Sequence, residues 1–146
     1  MADSAIPKRH LAILTCMDAR VDVVTAFGLD RGDAHLLRNA GAVATDDVLR
    51  SLVLSQRLLE TRSVWIVAHT DCGLRKFTDD ELAQELTLET GEAPPFAFGA
   101  FRDIEAHVRR QVDVVQSCPW LPHRSDVQGY IYDVTDQSIA PVQPSQ

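Results

Sequence analysis

The stretch His10–Arg20, "HLAILTCMDAR", decides the architecture. Its segment His10–Met17 is almost continuously apolar, as a strand covered on both faces reads. Its end, "CMDAR", sets a thiol (Cys16), a carboxylate (Asp18) and a guanidinium (Arg20) at alternate positions. Alternate residues of a strand share a side, so the three could face one place if the strand persists. Parallel sheets bind ligands at the carboxyl ends of their strands, and "CMDAR" lies at such an end.

Working outward, further strand-like segments follow. Ala34–Arg38 is short and similar, Ser63–Ala68 ("SVWIVA") is β-branched and aromatic, and Gly129–Val134 comes later. Ile139–Val142 suits a short antiparallel edge strand, since Pro141 is tolerated at an edge. Helices alternate with these. Val21–Phe27 is brief and is stopped by Gly28. Thr45 caps a second helix with Asp46 and Asp47 in its first turn, and Val48, Leu49, Leu52, Val53 and Leu59 make its apolar face. Thr78-Asp79-Asp80-Glu81 fits a capping box and opens a third helix to Thr87. Phe101–Gln116 carries the stripe Ile104, Val108, Val112 and Val115. Residues 90–99, with Gly91, Pro94 and Pro95, read as a loop. The alternation predicts an α/β fold: a central, mostly parallel sheet of four strands plus a short antiparallel edge strand, with helices on both faces, in one domain over residues 1–146.

The chain has 146 residues, which fits one domain. Its net charge of -7 argues against a nucleic-acid partner, because phosphate binding needs a basic surface. No apolar run reaches the roughly 18 residues of a membrane span, and "MADSAIPKRH" lacks the apolar segment of a secretory signal. A cytoplasmic location with no membrane partner is the expectation. The cysteines, Cys16, Cys72 and Cys118, are odd in number and far apart, which does not suggest a disulfide framework. Each is then a core thiol, a metal ligand or a nucleophile, and its neighbours must decide which.

Cys72 has such neighbours. In "HTDCG", His69 and Cys72 stand three apart where "SVWIVA" gives way to a turn, so both side chains can reach one ion. Cys16 would add a second thiolate from the neighbouring loop. Cys₂His is a catalytic zinc set with one position left open, and thiolate and imidazole disfavour magnesium and calcium. Two thiolates neutralise a divalent zinc, so something must orient its water. Asp18 could accept a hydrogen bond from that water, or bind the metal itself and close the site. Arg20 can hold the carboxylate in a bidentate pair and keep it off the metal. Cys118, in "SCPW", has no such context and reads as structural. His10, His35, His107 and His123 have no ligand-like neighbours. A Cys-x₅-Arg phosphate loop fails because position 22 is Asp22, no Cys-x-x-Cys pair exists, and "RNAGA" lacks the spacing of a nucleotide loop.

Cys-x-Asp-x-Arg in "CMDAR", followed by His-x-x-Cys in "HTDCG", resembles the β-class carbonic anhydrases. "RGDAHLLRNAGAVATDDVLRSL" resembles that family's second strand, Asn-Ala-Gly loop and helix, and "VQGYIYDVTDQSIAPV" its terminal strand pair. The likeness runs from Lys8 to Val142 and is closest to the short, methanogen-type subclass, which lacks an N-terminal helical arm. It implies one zinc per chain on Cys16, His69 and Cys72, with Asp18 and Arg20 as a catalytic dyad. It also implies reversible hydration of CO₂ to bicarbonate and a proton by zinc-bound hydroxide. Asn39, Ala40, Gly41 and Gly73 would approach the substrate pocket, and a homodimer or a dimer of dimers would be the assembly. Where many members read Gly-His-Ser-x-Cys-Gly-Gly, this chain has Ala68 to Leu74, "AHTDCGL". Relatives on this scaffold hydrolyse carbon disulfide or carbonyl sulfide, which the zinc motif does not separate from CO₂. A non-catalytic zinc-binding module, with Asp18 as a permanent fourth ligand, is the other alternative.

Overall fold

The computed structural model describes residues 4–144; residues 1–3 and 145–146, the ends of the expected 1–146 unit, lie outside it. One five-stranded sheet has the order β2-β1-β3-β4-β5, with β1 Leu11–Cys16, β2 Ala34–Asn39, β3 Ser63–His69, β4 Val127–Tyr132 and β5 Ile139–Val142. The first four strands run parallel and β5 pairs antiparallel with β4. Four helices connect them: α1 Val23–Ala26, α2 Asp46–Leu59, α3 Asp79–Thr90 and α4 Ile104–Gln116. Among the described residues no helix is long and apolar enough to cross a membrane.

The pleat of β1 divides the core. All six of its residues are buried. Ala12 and Leu14 face one side, where they meet Val64, Ile66 and Val127 of the sheet, Val48 and Leu52 of α2 and Val115 of α4. Leu11 and Ile13 face the other, with Val67, Tyr132, Val21 and Val23. Each of the larger fully buried side chains, such as Leu14, Ile66 and Leu52, contributes about 1.5–3 kcal/mol relative to exposure. Gly129 lets α4 approach β4 closely, because a Cβ there would overlap Val108 Cγ1.

Several boundaries differ from the sequence expectation. β2 is an edge strand with Leu36 and Arg38 exposed, so it is not covered on both faces like β1. β4 begins two residues earlier than expected, at Val127, and ends at Tyr132. α3 runs on to Thr90, where Gly91 caps it with φ +80°, and it buries none of its residues. α4 starts only at Ile104, because Asp103 accepts from the Glu105 and Ala106 amides as its N-cap. α1 is a single turn, capped by Asp22.

Candidate metal centre

β1 and β3 are adjacent and parallel, so their carboxyl ends lie side by side. Cys16 closes β1, His69 closes β3, and a turn brings Cys72 back beneath them. The three side chains are buried, and their ligand atoms lie within 4.8 Å of one another. His69 Nδ1 lies 2.7 Å from the Thr70 carbonyl oxygen. A carbonyl only accepts, so Nδ1 carries a proton, and in the neutral ring Nε2 presents its lone pair. Nε2 is buried and makes no hydrogen bond among the described residues, with the Cys16 sulfur and the Asp18 carboxylate as its charged neighbours. Leaving a buried acceptor unpaired is costly, and an ion between the two sulfurs and this nitrogen would satisfy it. The donor set and the stranded nitrogen thus fit a metal of borderline softness.

The two thiols already act on each other. A hydrogen bond from Cys72 draws the Cys16 thiol far below its ordinary range, and the same contact pushes Cys72 up. The backbone N–H of Gly41 also donates to Cys16 Sγ at 3.3 Å. Leu74, Phe101 and Ile104 pack around this pair.

The expected strand alternation does not extend through "CMDAR", because β1 stops at Cys16. A turn brings Asp18 and Arg20 together instead. Asp18 Oδ1 accepts from Arg20 N at 2.8 Å and Nε at 3.0 Å, and Oδ2 accepts from Nη2 at 2.7 Å. This fork holds the Asp18 carboxyl well below the usual carboxylate range. Asp18 Oδ2 lies 3.8 Å from His69 Nε2. Arg38 of β2 steadies the turn from below, donating to the carbonyls of Cys16 at 2.9 Å and Asp18 at 2.8 Å.

Sequence reasoning missed Asp71. Its φ of +53° turns it onto the far side of Arg20, where Oδ2 accepts from Nη1 at 2.9 Å and its carbonyl from Nη2 at 3.1 Å. Lys76 lies 3.6 Å from its other oxygen. The signal was present inside "HTDCG", between the two ligand-like residues.

The loop after β2 lies against the Cys16 sulfur. Asn39 clamps it, its side chain accepting from Val43 N and donating to Val43 O at 2.9 and 2.8 Å. Ala40 is half-buried. Gly41 has φ +89°, and a Cβ there would overlap Leu74 Cδ2. Gly73 opens a 3-10 turn, Gly73–Arg75, with open space where a Cβ would be. Cys118 lies elsewhere, in the core under α2 and α4. His10 and His35 bond to Glu60 O and Ser55 Oγ, away from the thiols, while His107 reaches the Gly41 carbonyl.

Residues 11–139 match the family model described as carbonic anhydrase. Beta-carbonic anhydrase 1 of Mycobacterium tuberculosis is 41% identical over 138 residues, covering 94% of this chain and 85% of that protein. A carbon disulfide hydrolase of Saccharolobus solfataricus is 33% identical over 155 residues, covering 90% of this chain and 76% of that protein. The crystal structure of a carbonic anhydrase from Streptococcus mutans superposes with a TM-score of 0.92 at 40% identity, covering 98% of this chain and 87% of that one. These matches identify the family and not the methanogen-type subclass within it. The chain belongs to the β-class carbonic anhydrases, a family of enzymes.

Proposed function

We propose that the chain catalyses the reversible hydration of CO₂ to bicarbonate and a proton, with one zinc ion held by Cys16, His69 and Cys72. The observation that carries this reading is the buried Nε2 of His69, which makes no hydrogen bond among the described residues, beside two buried thiols, with the nearest carboxylate forked onto Arg20. A zinc ion held by these three residues would supply a water acidic enough to serve as a nucleophile near neutral pH.

The protein's own residues do the rest. Thr70 fixes the His69 tautomer, so the ring presents Nε2. Asp18 is the catalytic carboxylate: ionised, close to the His69 ring and able to orient a water by accepting its hydrogen bond. Arg20 is its positioning partner. It occupies both Asp18 oxygens and keeps the carboxylate from closing the centre. Asp71 anchors the guanidinium from the other side. Asn39, Ala40, Gly41 and Gly73 shape the substrate side, with Leu74 and Phe101 supplying apolar wall suited to a small non-polar molecule.

A homodimer is part of this reading. The outer edge of β2 is unpaired among the described residues, and Leu36 on that strand and Met17 beside the centre are both exposed. Two thiolate ligands also suit a reducing cytoplasm.

The test is stopped-flow CO₂ hydration by protein carrying one zinc per chain. A rate no greater than that of buffer, between roughly pH 7 and 9, would overturn the reading. The relative named a carbon disulfide hydrolase supports a second reading, a CO₂-like substrate such as carbon disulfide or carbonyl sulfide at the same centre. Hydrogen sulfide release with negligible CO₂ hydration would select it.

A further inference from the structure

The notable buried group outside the centre is His107, on α4. Its ring is 1% exposed and stacks on Phe101, with centroids 3.9 Å apart and planes 10° apart. Phe101 in turn packs against Cys16 and Cys72. The ring's Nε2 lies 2.8 Å from the Gly41 carbonyl oxygen, so Nε2 carries the proton. Nδ1 is buried and has no partner among the described residues. A phenyl ring would fill the same space without stranding a polar atom, and burial costs such an atom its hydration. What histidine adds is one N–H, aimed at one carbonyl.

That carbonyl belongs to the residue whose own N–H donates to Cys16 Sγ at 3.3 Å. Gly41 has φ +89° and no side chain to hold it. One turn along α4, Gln111 holds the same loop in the opposite sense: its Oε1 accepts from Ala44 N at 2.9 Å. Residues i and i+4 share a helix face, so α4 grips the 41–44 loop at two points.

We propose that His107 is a positioning residue for the metal centre. By holding the Gly41 carbonyl it fixes that residue so that the Gly41 N–H points at the Cys16 sulfur and tunes that thiolate as a ligand. This rests on the zinc reading above. Groups that hydrogen-bond a metal's ligands tune its affinity and electronics, and their loss costs about 10–100-fold in affinity or activity; His107 acts on one such group, the Gly41 N–H. A donated hydrogen bond also draws charge from the sulfur, lowering the energy of its lone pairs.

The experiment compares His107→Phe, which keeps the stack and loses the donor, with His107→Gln, whose amide can still reach the Gly41 carbonyl. In cobalt-loaded protein the sulfur-to-cobalt charge-transfer band should move to lower energy in His107→Phe and return toward wild type in His107→Gln. Zinc affinity, measured by chelator competition, should fall about 10-fold or more in the first and recover in the second. An unmoved band with unchanged affinity in His107→Phe, or equal displacement in both variants, would overturn the proposal. Wild-type protein gives a second check that does not depend on either variant folding. Nitrogen-15 spectra should show His107 neutral with its proton on Nε2, and cadmium-113 at the centre should couple to the Gly41 amide proton. A ring protonated on Nδ1, or no coupling, would equally overturn it. None of these readouts requires turnover, so a failure of CO₂ hydration leaves them standing.

Discussion

Replacing Gly41 with alanine should damage the fold and the centre together. The cost has two parts. With φ at +89°, an L-residue pays about 1–2 kcal/mol for the left-handed region. The new Cβ would also overlap Leu74 Cδ2 and lie 3.5 Å from Val43 Cγ2, and overpacking costs about 1–3 kcal/mol. Cδ2 is the end of a side chain that can turn, so the sum falls toward the lower half, about 3 kcal/mol. In a chain of this size that lowers the melting temperature by roughly 6–12 °C. Turning Leu74 also withdraws it from Cys16 and Cys72, so zinc affinity should fall with stability. Gly91→Ala is the control: its φ is +80°, yet nothing lies within 4 Å of a Cβ there, so it carries only the backbone cost and leaves the zinc alone. Adding Leu74→Ala to Gly41→Ala should relieve part of the loss. Thermal unfolding and chelator competition on the three variants read this out. If Gly41→Ala melts no lower than Gly91→Ala and holds zinc as the wild type does, the close approach argued for the 39–43 loop is wrong.

Other predictions follow from the same geometry. Arg20→Leu frees both Asp18 oxygens, so CO₂ hydration should drop while zinc stays bound through dialysis; full activity in that variant would contradict the positioning role. Asp79 accepts from the amides of Phe98, Gly99 and Ala100, and the Ala100 bond leads in holding its carboxyl below the ordinary 3.8. A carboxyl lowered by folding stabilises the native state above its unfolded value, and that contribution is lost as pH falls through the lower, folded value. The Ala100 amide resonance should therefore titrate with a midpoint below about 3.8; a midpoint at or above it would refute the anchoring. Gly129→Ala should cost about 1–3 kcal/mol in denaturant unfolding by driving β4 from Val108, and no loss would mean α4 does not pack so closely.

Much of this arrangement was legible in the chain, for identifiable reasons. The unbroken apolar run at β1 and the alternation of strands with capped helices implied a parallel sheet, and His-x-x-Cys at a strand end marked a candidate centre. Boundaries were read less well where a tertiary contact overrides a local signal. Gly129 resembles a strand's start, yet it lies inside β4 because α4 presses on it. Phe101 fits the apolar stripe of α4, yet it precedes the Asp103 cap and packs on the thiols. Edge position is a property of strand order, so the exposure of β2 could not be read from its own residues. Asp71 and His107 were missed because their partners are a remote guanidinium and a backbone carbonyl. Neither kind of partner leaves a spacing pattern in sequence.

In the proposed centre Cys16, His69 and Cys72 hold zinc while Arg20 keeps Asp18 away from it. A crystal structure of the zinc-loaded protein above neutral pH, with anomalous maps at the zinc edge, tests this most directly. One zinc per chain should be bonded to both sulfurs and to His69 Nε2, with water in the remaining position and Asp18 still paired to Arg20. Zinc bonded to Asp18 under those conditions, or bound away from the three residues, would contradict it.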